Sequence, residues 1–122
     1  MSQEEWILEV VKSFYDKART DVLIGYHFRH IQDFESHIPR IAVFWEVQLL
    51  GATSKEVTAP FDVMKAHDPL PLKKGELGRW MVLMQKTLEE SVRRHPEHLQ
   101  LKTKWEERLK FFEGVFSRFY GI

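Results

Sequence analysis

Residues 60–71 read PFDVMKAHDPLP. Pro60 suits the first turn of a helix, where its missing N–H is not needed and its φ is already helical. The chain continues through Met64 to His67, and Asp68-Pro69-Leu70-Pro71 stops it, because neither proline can extend the hydrogen-bond ladder. The reading is a short helix ending on a histidine, flanked by Met64 and Leu70 and stiffened by two prolines. Whether the fold is a helical sandwich enclosing an apolar pocket or a plain four-helix bundle turns on this stretch.

On both sides apolar residues recur at helical spacing, and no stretch alternates as a half-buried strand does, so the fold class is all-α. Ile7, Val10, Val11 and Phe14 form one stripe of a first helix reaching about Arg19, with room for one break. Ser2 with Glu5 three residues on is a capping-box pair at its start. Gly25 and the polar stretch from Arg29 to Ser36 interrupt the pattern before a second apolar run, Ile38, Ile41, Phe44, Trp45, Val47 and Leu49, which ends at Gly51. From Ala52 to Pro60 the chain is small, polar and turn-prone. A third helix places Leu77, Trp80, Met81, Met84 and Leu88 on one face, and a fourth, opening near Pro96, aligns Leu101, Trp105, Leu109, Phe112 and Phe116. Two antiparallel pairs around a pocket and a plain bundle fit this periodicity equally well.

With 122 residues, 43% of them hydrophobic and 30% charged, the chain reads as a single domain spanning 1–122 with one continuous core. Lysine plus arginine equals aspartate plus glutamate at 18 each, which argues against a nucleic-acid or anionic-membrane partner. The absence of cysteine removes disulfides, thiolate metal sites, cysteine nucleophiles and any haem joined through thioethers. The first residues carry Glu4, Glu5 and Glu9 rather than a basic start and an apolar run, and nothing approaches the ~20 apolar residues of a membrane span, so the expected address is cytoplasmic.

Residue by residue, each candidate has two readings. His67 is a ligand or a helix-terminal imidazole on the last carbonyls. Tyr15 packs its ring on the buried side of the first helix and needs a local partner for its hydroxyl. His37 opens the second apolar run and shares a face with Ile41, toward a cavity or toward solvent. Trp80 is core or a hydrogen-bond donor, and Phe28 is a lid or a loop anchor. His27 with His30, and His95 with His98, have helical metal-ligand spacing but lack the further ligands zinc needs, so all four are expected to be solvated. No phosphate loop, nucleophile elbow or H-E-x-x-H is present.

Taken in order, Phe14-Tyr15, Gly25-Tyr26-His27-Phe28, His37 with Phe44-Trp45 and Leu49-Leu50-Gly51, His67 with Leu70-Pro71, and Arg79-Trp80-Met81 resemble the group III truncated haemoglobins, from about Phe14 to Leu88. The resemblance implies a two-over-two helical sandwich around a non-covalent haem b. It implies His67 as the proximal iron ligand, and Tyr15, His37 and Trp80 on the distal side. It places Phe28 on the porphyrin, Ile41 as an apolar wall, Met64 and Leu70 beside the proximal histidine, and Arg40 near a propionate, a role for which Lys55, Lys73 and Lys74 compete. Neutral imidazole is a good iron ligand and leaves the opposite position for a diatomic molecule. The implied partners are O2, NO and CO, with peroxide and nitrogen-oxide redox chemistry and an unidentified reductase in reach, in a monomer or weak homodimer. Whether such an iron makes the chain an enzyme stays open. The competing reading is a haem-free, all-helical protein-interaction module.

This sequence departs from the family at Pro39, two residues after His37, where a proline is unusual. The second helix must therefore begin late, with proline in its first turn, or kink there. Between Gly51 and His67 the chain is a few residues longer than usual, and after His67 one residue shorter.

Overall fold

The computed structural model describes residues 1–29, 31, 33–51 and 73–121. The short helix expected through Met64 to His67, the length differences on either side of it, Leu70 and His30 lie outside the described residues. Among the described residues the chain forms four α-helices and two short 3-10 turns, with no strand.

Helix α1, Gln3–Thr20, starts at the expected capping box: Ser2 Oγ accepts the Glu5 N–H at 3.1 Å, and Glu5 Oε1 accepts the Ser2 N–H at 2.9 Å. It runs without a break, and its stripe of Ile7, Val10, Val11 and Phe14 is buried together with Trp6 and Ala18. A connection follows that contains the 3-10 turn Gly25–Phe28. Helix α2, Phe34–Leu50, ends at Gly51, whose φ of 81° is the left-handed conformation glycine adopts without strain.

Of the two alternatives at Pro39, a late beginning or a kink, the start of α2 excludes the first. Asp33 Oδ1 accepts the Ser36 N–H at 3.3 Å, a side-chain cap that lets the helix open at Phe34, ahead of the apolar run. Pro39 therefore sits inside the helix, beyond its first turn, where it withholds a donor from the ladder.

Helix α3, Lys74–Arg94, buries Leu77, Leu83, Met84 and Leu88, with Trp80 and Met81 half-buried beside them. The 3-10 turn Pro96–His98 leads into α4, Leu99–Tyr120, whose Leu101, Trp105, Leu109 and Phe116 face inward. Helix α1 packs on α2 and α3 on α4, and the two pairs stack so that α1 meets α3 and α2 meets α4. One hydrophobic core joins all four helices, centred on Trp6, Trp45 and Trp105.

Three of the histidines read as solvated are not. His27 is buried near Glu76; His98 is buried, stacked on Trp6 at 5.1 Å and 3.0 Å from the Met1 carbonyl oxygen; His95 is half-buried, 3.1 Å from Glu9. His95 and His98 each have a partner far away in sequence that supplies what water would otherwise give, whereas His27 Nε2 lies near Glu76 without a hydrogen bond.

Candidate functional site

Tyr15 follows Phe14 on α1, and the helical period turns both rings toward the junction of α1, α2 and α3. Phe14 meets Tyr15 edge-on at 5.0 Å and Trp80 of α3 at 5.2 Å. Tyr15 in turn meets Phe28 at 5.7 Å and Phe34 at 5.3 Å, and Phe28 and Phe34 close the ring of contacts at 5.9 Å. Three of the expected site residues, Tyr15, Phe28 and Trp80, thus belong to one aromatic wall built from α1, the Gly25–Phe28 turn and α3. Edge-to-face pairs at such distances add modestly to burial and hold the rings in defined orientations.

Burial pushes the Tyr15 phenol well above its ordinary pKa, so it stays protonated and remains a donor. Among the described residues neither the Tyr15 hydroxyl nor the Trp80 indole N–H has a hydrogen-bond partner. The wall is therefore apolar in surface but carries two donors.

Helix α2 supplies the neighbouring side. Phe34 touches Tyr15, and His37 lies one turn further along that face, half-buried, with Ile41 buried a turn beyond it. No contact among the described residues joins His37 to Tyr15 or Trp80. Arg40 lies exposed on α2, and Met64, His67 and Leu70 are outside the described residues.

Phe34 was not visible as a site residue, because it sits in a polar stretch. The signal that could have found it is the Asp33 and Ser36 pair, a helix start that fixes Phe34 as the first helical residue. Also missed was the set of contacts holding the Gly25–Phe28 turn. Arg79 donates from Nε and Nη2 to Asp21 Oδ1 at 2.9 and 2.7 Å, which holds the Asp21 carboxyl below the usual carboxylate range. The Tyr26 hydroxyl donates to Glu76.

No family model matches the chain, and no curated protein matches it. Among solved structures, the crystal structure of the group III truncated haemoglobin from Campylobacter jejuni superposes with a TM-score of 0.77 over 98% of this chain and 92% of that one, at 21% sequence identity. The chain has a truncated-globin fold. The two stacked helix pairs are the all-α, two-over-two sandwich that the order of short motifs led one to expect, and the plain bundle is set aside. Within the truncated-globin fold, the aromatic wall lies where α1, α2 and α3 come together. None of the four helices is long and apolar enough to cross a membrane among the described residues.

Proposed function

We propose that the chain is a haem-binding globin that takes O2 and other diatomic ligands, NO and CO among them, at a histidine-ligated iron. The observation that carries this reading is the wall of Tyr15, Phe28, Phe34 and Trp80 in a truncated-globin fold, with two hydrogen-bond donors that no other described residue uses. A flat apolar macrocycle suits such a wall, because aromatic rings supply large contact area at little conformational cost. Donors that no other described residue uses suit a ligand that carries partial negative charge.

When bound, haem b supplies an iron with a coordination position for a diatomic ligand. His67 is the proposed iron ligand, with Met64 and Leu70 beside it. Phe28, Ile41 and Trp80 would pack on the porphyrin, and Arg40 would face a propionate, where an exposed ion pair contributes about 1 kcal/mol at most. Tyr15 donates from the distal side. Because burial keeps its phenol protonated, it stabilises negative charge on a ligand without titrating near neutral pH. The Trp80 N–H is a second donor, and His37 a third from α2. Peroxide or nitrogen-oxide redox chemistry belongs to the same reading and requires electrons from a reductase. A cytoplasmic monomer or weak homodimer completes the proposal.

A haem titration of the purified protein tests it. A sharp Soret band saturating at one haem per chain is expected, and His67→Gly should lose normal ligation and regain it with free imidazole. A wild-type protein that develops no Soret band overturns the haem reading in favour of a haem-free module. An unchanged spectrum in His67→Gly overturns the ligand assignment alone.

A further inference from the structure

Glu76 is a buried carboxylate that ties together two parts of the chain. Its Oε1 accepts the Lys73 N–H at 3.0 Å and so closes the first turn of α3. Its Oε2 accepts the Tyr26 hydroxyl and lies 3.3 Å from His27 Nε2. Burial pushes the Glu76 carboxyl up, but the Tyr26 hydroxyl, the Lys73 N–H and His27 together outweigh it and hold the group below the usual carboxylate range. A carboxylate this dry strongly resists losing a partner.

The turn that Glu76 grips has little freedom elsewhere. A Cβ on Gly25 would come within 2.9 Å of the Arg19 carbonyl oxygen, so the turn already lies against the last turn of α1. Asp21, at the head of the same connection, is fixed by Arg79, one helical turn after Glu76 on α3. The Gly25–Phe28 turn is thus held between α1 and α3, and its last residue, Phe28, meets Tyr15 at 5.7 Å and Phe34 at 5.9 Å.

We propose that Glu76 is a positioning residue for the distal wall: by holding the Tyr26 hydroxyl, with His27 close beside it, it fixes the Gly25–Phe28 turn, and Phe28 in turn fixes the ring of Tyr15. The consequence for ligand binding rests on the haem reading above, whereas the ring geometry does not. Glu76 itself is expected to touch neither haem nor ligand, and it acts only through the turn.

The test compares Glu76→Leu, Tyr26→Phe and the double variant with the wild-type protein. In the first arm, aromatic NMR of the purified protein, diamagnetic as the CO adduct where haem binds, should show a Phe28–Tyr15 ring cross-peak and one sharp set of Tyr15 signals. Both single variants should weaken the cross-peak and broaden Tyr15, and the double variant should go no further than Glu76→Leu. In the second arm, the C–O stretch of the CO adduct should shift or split in both single variants, and O2 dissociation should accelerate about fivefold, the effect of weakening one hydrogen bond of ordinary net strength. A wild-type cross-peak and C–O stretch in folded variants overturn the proposal, as do effects of the two substitutions that simply add. Should Glu76→Leu fail to fold, Tyr26→Phe decides alone, since it removes one hydroxyl: loss of the cross-peak supports the proposal and its retention overturns it. If the wild-type protein binds no haem, the first arm still decides on Glu76 while the functional reading falls.

Discussion

Replacing Arg79 with methionine keeps the apolar stem of the side chain and strands Asp21. The Asp21 side chain is only 5% exposed and that of Arg79 38%. Asp21 Oδ1 receives both guanidinium donors, at 2.9 and 2.7 Å, while Oδ2 keeps the Leu23 and Ile24 N–H groups at 3.0 and 3.2 Å. Breaking a fully buried pair costs about 3–5 kcal/mol, and an exposed pair is worth about 0–1 kcal/mol. Here one partner is buried, the other reaches water, and two backbone donors remain, so Arg79→Met should cost about 2 kcal/mol at neutral pH. The guanidinium first, and the two N–H groups after it, hold the Asp21 carboxyl below its ordinary pKa in the folded protein. The unfolded chain takes up that proton near pH ~4. The stabilisation is therefore complete at neutral pH and is lost as the pH falls from the ordinary carboxylate value through the lower folded-state value. Urea unfolding followed by helical circular dichroism, from pH 7 down to pH 3, should show the gap between wild type and variant narrowing in acid. A gap that does not change with pH, or that is under about 0.5 kcal/mol at pH 7, would refute the reasoning.

On the proposed haem reading, Tyr15→Phe removes the distal donor and should speed O2 dissociation by roughly ten- to a hundredfold; unchanged flash-photolysis and stopped-flow rates would count against that role. Gly25→Ala forces a Cβ to within 2.9 Å of the Arg19 carbonyl oxygen and should destabilise the protein by about 1–3 kcal/mol in urea melts, whereas a neutral effect would mean that the turn has slack. Pro39→Ala restores a donor inside α2 and should stabilise by about 1 kcal/mol, with an unchanged or lowered urea midpoint as the contrary result.

Much of the frame could be read from the chain because it rests on local chemistry. The Ser2 and Glu5 box, the stripe from Ile7 to Phe14, the stop at Gly51 and the opening near Pro96 each involve residues within a turn or two of one another. A late beginning of α2 stays open in the chain, beside a kink at Pro39, because Asp33 and Ser36 look like loop residues, although the same two side chains make the cap. At the site, Tyr15, Phe28 and Trp80 were singled out through a resemblance in motif order, and the fold brings them into one wall. Its supports were illegible for a different reason. Asp21 with Arg79, and Tyr26 and His27 with Glu76, pair residues from different helices or connections, and a charged residue read alone is taken to face water. The burial of His27 and His98 was missed on the same ground.

The aromatic side chains divide into two sets. Among the described residues, Trp105 contacts both Trp6 and Trp45 in the shared core, while Trp80 belongs with Phe14 and the rings of Tyr15, Phe28 and Phe34, and no ring contact crosses between the sets. The two sets still share one core, since Phe14 and Phe34 are buried in the same cluster as Trp6 and Trp105, so a substitution at the edge of the wall, at Phe28 or Trp80, should disturb the centre less than one at Phe14. Among the four tryptophans Trp80 alone packs on the Phe14 and Tyr15 wall, so selective labelling of that indole would report on the wall while the other three report on unfolding.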